Sequence, residues 1–514
     1  MQIANLEELK SEMDKDAFSK LSNLLDSTVV GSDKVVLSPV GKRLEEGKGI
    51  LATYTTWYES LDKSSWPSEL LELEDKQIGK IGPRSIAKPW SDRKDDVYEY
   101  FKPSAAKEDC DPGDSPVKTR DLNRLRPAST ETSIKKIKKN TSSGIPLMVS
   151  KGTALEETQA SSKPNLFIAF IQKVWPSVLF TRTQEQGKTR GVWGISIDQI
   201  LSEITFFLPV LDWMKKQPWL AALLGPEEVN DRMDTIIRSA ISRDELIVST
   251  DFTHFDASTK GAIASCAWDW YISLFQKKHH SELEEISFNF NNVPLVTPDG
   301  VISGYHGTPS GSMNTTPIGS LAHATLMKSY GTIILDESLI LIDDGCFILK
   351  DEADVDNYIA HCERWGYKTN REKTFVSSIC AIYLQHLYHP ALTVDGKIKG
   401  VYPISRAYNR LCELSQFNKF VKDGIKGEEF FAIRSLSILE CTKYHPSFEE
   451  FVKFWISLDK YSLLPSDDSI RKYIKRLEEK DGSEGLIKNQ YGDDIHGIKS
   501  WKAYQLVKEL SQSS

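Results

Sequence analysis

Two apolar blocks near the middle of the chain, Ser338-Leu-Ile-Leu-Ile342 and Gly345-Cys-Phe-Ile-Leu349, flank the polar pair Asp343-Asp344. Each block has the length of a buried strand, and an unbroken apolar run fits a strand covered on both faces. The pattern predicts a strand–turn–strand hairpin with two carboxylates at its tip. Upstream, Leu246-Ile-Val248 reads as another short buried strand with Asp251 at its C-terminal end. Beyond it Ile263, Cys266, Ala267, Trp270 and Leu274 recur at helical spacing, which predicts a helix from Ala257 to Phe275 with Asp256 as its cap. A second periodic run holds Ile318, Leu321, Ala322, Thr325 and Leu326. Thr316 should cap it, Pro317 should open it and Gly331 should end it.

Helical spacing also marks Leu6, Leu9, Met13, Phe18 and Leu21, then Phe167, Phe170, Ile171 and Val174 ahead of the breaker Pro176. It returns at Val355, Ile359, Cys362 and Trp365, and at Ile470, Tyr473, Ile474 and Leu477 behind the cap at Ser466. Residues 84–130 are rich in Pro, Asp, Ser and Lys and show no period. Periodicity alone gives a mixed α and β chain with a helical C-terminal part.

The 514 residues suffice for several subdomains, and 40% hydrophobic with 26% charged is ordinary globular composition. The net charge of −8 argues against indiscriminate binding of polyanions. Its distribution changes that picture. Lys118, Arg120, Arg124, Arg126, Lys135, Lys136, Lys138 and Lys139 cluster with few acids among them, a local surface suited to phosphates and equally to solvent. Seven scattered cysteines without a Cys-x-x-Cys pair imply a reduced intracellular setting. The N-terminus carries no pattern of a cleavable signal, and no stretch is apolar and long enough to span a membrane.

The chemistry starts from the acid pair. Two like charges about 4 Å apart repel by roughly 4 kcal/mol at an effective dielectric near 20. A divalent cation neutralises them most directly. If Asp251 lies opposite Asp343 on a neighbouring strand, three carboxylates can hold two cations suited to phosphoryl transfer. Between the acids lies Gly307-Thr-Pro-Ser310-Gly311-Ser312-Met-Asn314-Thr315, whose Ser-Gly-Ser core lets another backbone come close.

In this order, Asp251-x4-Asp256, Ser310-Gly311-x3-Thr315 and Asp343-Asp344 resemble motifs A, B and C in the palm of viral RNA-dependent RNA polymerases. More of the chain follows the same plan. Ser142-Ser-Gly144-Ile-Pro146 resembles motif G, along the template path. Arg182-Thr-Gln-Glu-Gln-Gly-Lys188-Thr-Arg190-Gly-Val-Trp193 resembles motif F, whose cations meet the triphosphate. Lys373 matches the motif D lysine, and Tyr383-Leu-Gln-His386 occupies the motif E position. The resemblance covers about residues 140–390. It is nearest to picobirnaviruses, then partitiviruses, both small double-stranded RNA viruses.

The resemblance implies an α+β right-hand polymerase with fingers, a palm of antiparallel sheet flanked by helices, and a helical thumb. The expected segments are 1–75 N-terminal helices, 76–243 fingers, 244–276 palm, 277–300 a fingers insertion, 301–392 palm, and 393–514 thumb and tail. It implies catalysis by Asp251, Asp343, Asp344 and Lys373, with the three aspartates binding two Mg²⁺ or Mn²⁺ ions. It implies nucleotide contacts from Arg182, Lys188, Arg190, Asp256, Ser310, Gly311 and Thr315, and template contacts from Ser142, Gly144 and Pro146. Template and nascent RNA, ribonucleoside triphosphates and a capsid protein are the expected partners, with no membrane. The virion interior and host cytoplasm are the expected locations.

Two positions depart from the family pattern. Ile342 stands where Gly usually precedes the paired aspartates, and a strand-like backbone is expected there. Gly319 stands where Asn usually helps Asp256 read the ribose 2′-hydroxyl, which leaves Ser310 or Thr315 for that task. A literal Gly492-Asp493-Asp494 lacks strand flanks and reads as a surface turn. Two other functions fit parts of the pattern. A reverse transcriptase shares the palm but usually has an aromatic residue two places before the acids, where this chain has Leu341. A non-catalytic RNA-binding scaffold would use the acidic hairpin only as structure.

Overall fold

The structure is a computed structural model that describes residues 1–107, 110–160, 174–369, 371–416, 424–481 and 495–512. The run at Phe167–Ile171 and the Gly492-Asp493-Asp494 tripeptide lie outside the described residues. The chain divides into two compact units. The first comprises Met1–Gly31, Pro89–Arg182 and Arg190–Ala381; the second comprises Ser32–Lys88, Thr183–Thr189 and Ile382–Ser514.

The centre of the first unit is a four-stranded antiparallel sheet in the order Phe375–Ser377, Leu246–Thr250, Asp344–Leu349, Leu339–Leu341. Ile247 and Val248 are buried on opposite faces, as are Cys346 and Phe347, so the apolar runs are continuous rather than alternating. Helices Ala262–Ser273 and Thr315–Tyr330 pack on each other, and Glu352–Arg364 packs on the second of these. Ile263, Tyr271, Leu321 and Met327 from the first pair meet Val248, Phe347 and Tyr358 in one core. The 315–330 helix has almost no polar face: Ser320, His323 and Thr325 are as buried as Leu321.

A second sheet in this unit has five strands in the order Gln2–Ala4, Gly300–Ser303, Leu295–Thr297, Ser177–Thr183, Thr189–Gly194. Its Ser177–Leu295 pairing is parallel. The first residues of the chain, read from sequence as helical, thus open with an edge strand paired to Val301–Ser303. Pairing with a distant strand overrides the local pattern there.

In the second unit, helices Ile50–Glu59, Ser68–Ile78, Ile404–Cys412, Gly427–Glu440 and Phe448–Leu458 surround Tyr54, Tyr408, Leu436 and Trp455. Glu74 is fully buried there. It accepts from the backbone N–H of Ile404 (2.7 Å) and Ser405 (3.0 Å), and so caps the Ile404–Cys412 helix from outside. No helix among the described residues is long and apolar enough to cross a membrane.

Candidate active site

The sheet register brings the acids to one end. Thr250 pairs with Gly345, so Asp251 continues beyond the pairing at the level of Asp344. Leu341 pairs with Asp344, and only Ile342 and Asp343 form the turn. Asp251 and Asp343 are exposed, while Asp344 and Asp256 are half-buried. Burial, then the charges of Asp343 and Asp251, push the Asp344 carboxyl up to about 7, against the opposing pull of Arg190. Burial and Asp343 push Asp256 up to about 7 as well, with Arg190 again opposing. All four aspartates and Arg190 therefore share one electrostatic environment.

The carboxylates do not close into a ligand cage. Among the described residues no group of three or more His, Cys, Asp or Glu side chains is set to hold a metal ion. The donor chemistry nevertheless fits one. The donors are carboxylate oxygens, which hard divalent cations take, and a cation would offset the Asp343 and Asp251 charges that, after burial, raise Asp344.

The turn corrects one sequence expectation. Ile342 is not strand-like but has φ +60, whereas Asp343 stays at negative φ. A two-residue hairpin turn with positive φ at its first central position is normally a place for glycine. The strain is held by one face of the 315–330 helix. The Ile342 N–H donates to Ser320 Oγ (3.2 Å), and Nδ1 of His323 lies 2.9 Å from its carbonyl. His323 is fully buried and burial lowers it to about 4, so it is the neutral ring that donates from Nδ1. Gly319 makes room for the side chain: a Cβ at 319 would sit 2.9 Å from Ile342 Cγ2. The two departures from the family pattern are thus in contact with each other. Gly345 is equally constrained, since a Cβ there would lie 2.4 Å from His323 Cε1.

The Ser310–Thr315 loop is fastened at several points. Ser310 Oγ accepts from the Trp193 N–H (3.3 Å), and a Cβ on Gly311 would fall 1.7 Å from the Trp193 carbonyl oxygen. The close backbone approach expected of this loop is therefore to the Thr189–Gly194 strand. Thr315 Oγ1 donates to the Pro309 and Ser312 carbonyls at 2.9 and 3.0 Å, closing the loop on itself. Gly307 lies where a Cβ would meet the Asp256 carbonyl at 2.3 Å, and the Thr308 N–H donates to that same oxygen (2.7 Å). The loop thus packs against the turn that carries Asp256. The helix behind it starts two residues earlier than predicted: it spans Thr315–Tyr330 with Asn314 at the cap, and Gly331 ends it at φ +92 as expected.

The base of this loop hangs on Glu203, which sequence reading missed. Glu203 is fully buried on the Ile197–Met214 helix. It accepts from Ser312 Oγ (2.7 Å), the Met313 N–H (2.8 Å) and Gln199 Nε2 (2.9 Å). The available signal was a lone carboxylate inside the apolar run Ile200-Leu-Ser-Glu-Ile-Thr-Phe-Phe207. His323 was missed too, and its signal was weaker, one ring within a buried helix.

The remaining candidates fall as follows. Ser142 Oγ accepts from the Gly144 N–H (3.1 Å), and Gly144, at φ +70, backs onto Ile195, so the Ser142–Pro146 loop meets the end of the 189–194 strand. Arg182 and Arg190 are exposed on the strands Ser177–Thr183 and Thr189–Gly194. Lys188 belongs to the second unit, where its charge is felt by Lys80. Lys373 is exposed just before the edge strand Phe375–Ser377. Tyr383 and His386 flank a hairpin turn with Leu384 and Gln385 at positive φ.

An antiparallel sheet with three aspartates at one end, backed by helices and faced by a glycine–serine loop, is the palm of a template-copying polymerase. The model of the family described as viral RNA-dependent RNA polymerase matches residues 94–392, and this chain belongs to that family. It is 27% identical over 519 residues to the potential RNA-dependent RNA polymerase of human picobirnavirus, covering 94% of this chain and 95% of that one. The crystal structure of the RNA-dependent RNA polymerase of a human picobirnavirus superposes with a TM-score of 0.78 at 25% identity, over 97% of this chain and 99% of that chain. An insertion-loop deletion mutant of such a polymerase gives 0.78 at 24% identity with the same coverage. The fold is thus the α+β viral polymerase fold, and the chain is an RNA-directed RNA polymerase of the picobirnavirus kind.

Proposed function

We propose that this chain replicates and transcribes a viral RNA genome by two-metal nucleotidyl transfer centred on Asp251, Asp343 and Asp344. The observation that carries the reading is the register that sets Thr250 against Gly345, with Asp344 responding to both other carboxylates. Those three residues would hold two Mg²⁺ or Mn²⁺ ions, which when bound lower the pKa of the attacking 3′-hydroxyl and offset charge on the leaving pyrophosphate. Arg190, already within electrostatic reach of Asp256 and Asp344, neutralises triphosphate charge, aided by Lys188 and Arg182. Lys373 donates a proton to the departing pyrophosphate.

Asp256 accepts from the ribose hydroxyls, which separates ribonucleotides from deoxyribonucleotides. Ser310, Gly311 and Thr315 shape the nucleotide's side of the loop. Ser142, Gly144 and Pro146 line the template. Sequence is read by base pairing, so these residues need hold only backbone. In subdomain terms, 76–243 with 277–300 are fingers, 244–276 with 301–392 palm, and 393–514 thumb. A polymerase of a double-stranded RNA virus works in the virion interior and host cytoplasm, with capsid protein as partner.

The test is templated synthesis by the purified chain, with and without primer, comparing ribo- and deoxyribonucleotides in Mg²⁺, Mn²⁺ and EDTA. Ribonucleotide incorporation that EDTA abolishes is expected. Preferential use of deoxyribonucleotides, or synthesis that persists without divalent cations, refutes the reading.

A further inference from the structure

The second unit contains a concentration of positive charge with too little negative charge beside it. Arg84, Arg406, Arg410 and Arg434 are all half-buried. Among the described residues, Glu185 is the carboxylate within ion-pair reach of any of them: 3.2 Å from Arg84 Nε and 3.6 Å from Arg406 Nη2. The other contacts are neutral. Arg406 Nε and Arg410 Nη1 both donate to the Tyr402 hydroxyl, at 3.0 and 3.1 Å, and Arg406 Nη1 reaches Gln77 Oε1 at 3.4 Å. Arg434 Nη2 donates to the Arg410 carbonyl. Burial, then the Arg410 and Arg84 charges, together lower Arg434 to about 10. The nearby Glu413 gives little relief, because burial and Glu45 push its carboxyl up to about 7.

Two of these arginines line a cavity. Arg84 and Arg434 line it together with Ser415, Gln416, Leu414 and the Phe430–Phe431 pair, and its volume is about 100 Å³. At about 30 Å³ per water, that is room for about three waters. That is well below the pockets that enclose drug-sized ligands, which run from about 300 Å³ upward. One tetrahedral oxyanion fits. The lining Ser415, Gln416, Arg84 and Arg434 side chains carry more hydrogen-bond donors than a planar carboxylate with two oxygens needs. Arginine forks suit phosphate oxygens in pairs.

We propose that this cavity is a phosphate-binding site, separate from the aspartate centre in the residues that form it, and that it grips one backbone phosphate of bound RNA. The phosphate's owner follows from the polymerase assignment; the site itself does not depend on the metal mechanism. A nucleoside triphosphate carries the same chemistry, so the experiment has to separate the two sources.

The full chain is melted in EDTA with rising inorganic phosphate, against acetate at matched ionic strength. Phosphate should raise the wild-type melting temperature more than acetate does, and an R84Q/R434Q variant should lose most of that difference. R434K, which keeps the charge but loses the fork, should lose part of it. Binding of a short oligoribonucleotide is then measured across a salt series. The double variant should bind about tenfold more weakly, and its slope of log K against log salt should be shallower by about 0.7, the value of one single-strand phosphate contact. At saturating RNA its KM for nucleotides should match wild type. A raised KM with unchanged RNA binding would overturn the RNA assignment in favour of a triphosphate. Equal phosphate stabilisation of wild type and folded variant, or none beyond acetate in wild type, overturns the site. Asp343→Asn serves as the control: it should abolish synthesis while keeping the phosphate response, so failure of the metal mechanism and failure of this site read out separately.

Discussion

Replacing Gly319 by Ala tests how the catalytic turn is held. The new Cβ would lie 2.9 Å from Ile342 Cγ2 and 3.6 Å from Phe255 Cε1. Carbon atoms in ordinary contact stand about 3.5–4.0 Å apart, so Ile342 has to give by more than half an ångström. Overpacking of this kind costs about 1–3 kcal/mol, while Ala in place of Gly inside a helix returns about 1 kcal/mol. Net stability should therefore fall by no more than ~2 kcal/mol, and the chain should stay folded. Activity should suffer more. Ile342 is bonded to Asp343, and a displacement on the order of 1 Å at a reacting group can cost about 100-fold.

Single-turnover incorporation by G319A should thus drop about 10- to 100-fold with a modest fall in Tm. I342G removes the obstructing methyl and relieves the positive φ, a relief worth about 1–3 kcal/mol against the packing it loses. The double variant G319A/I342G should therefore recover to within about threefold of I342G alone. Additive losses in this cycle, or a G319A enzyme as fast as wild type, would refute the idea that the helix face and the turn are fitted to each other.

Asp343→Asn should leave RNA affinity within about twofold and reduce incorporation at least about 1000-fold, measured by filter binding and primer extension; equal incorporation rules out the aspartate mechanism. Glu203→Gln turns an amide N–H₂ toward groups that are themselves donors, so urea unfolding should show a loss of about 2 kcal/mol and nucleotide KM should rise. His323 is held near 4, below the 6.5 of the unfolded chain, so as pH falls through 6.5 the unfolded chain takes up the proton first. The contribution of His323, read as the difference in stability between wild type and H323N in urea titrations at each pH, should fall by ~3 kcal/mol between pH 6.5 and 4 and stay constant above that window. Asp493→Asn with Asp494→Asn should leave extension rates within about twofold; inactivation would mean that the literal Gly-Asp-Asp carries the chemistry.

The palm sheet was legible because its strands are buried on both faces and announce themselves as apolar blocks around Asp251 and Asp343. The loop at Ser310-Gly311 was legible as a place of close approach, but its partner was not. Nothing local to Gly311 names Trp193, which lies over a hundred residues away. Glu203 was invisible for the same reason: its partners Ser312 and Met313 come together with it only in the fold. The conformation of Ile342 was misread because a β-branched residue prefers extended backbone, and what decides here is the twist demanded by a two-residue turn between paired strands. The two units were illegible because each is assembled from three separated stretches of chain, and periodicity carries no sign of such a division.

The contact between positions 319 and 342 also constrains history. The common arrangement puts glycine in front of the aspartates and a larger side chain on the helix; this chain has the reverse. A lineage crossing from one to the other by single substitutions meets either a clash, with both positions filled, or a hole, with both empty. The hole is the survivable waypoint, because glycine at the turn is unstrained and a missing side chain leaves the acids in place. Of the two single-step routes between the arrangements, the one through glycine at both sites is therefore the one that keeps the turn and its acids in place.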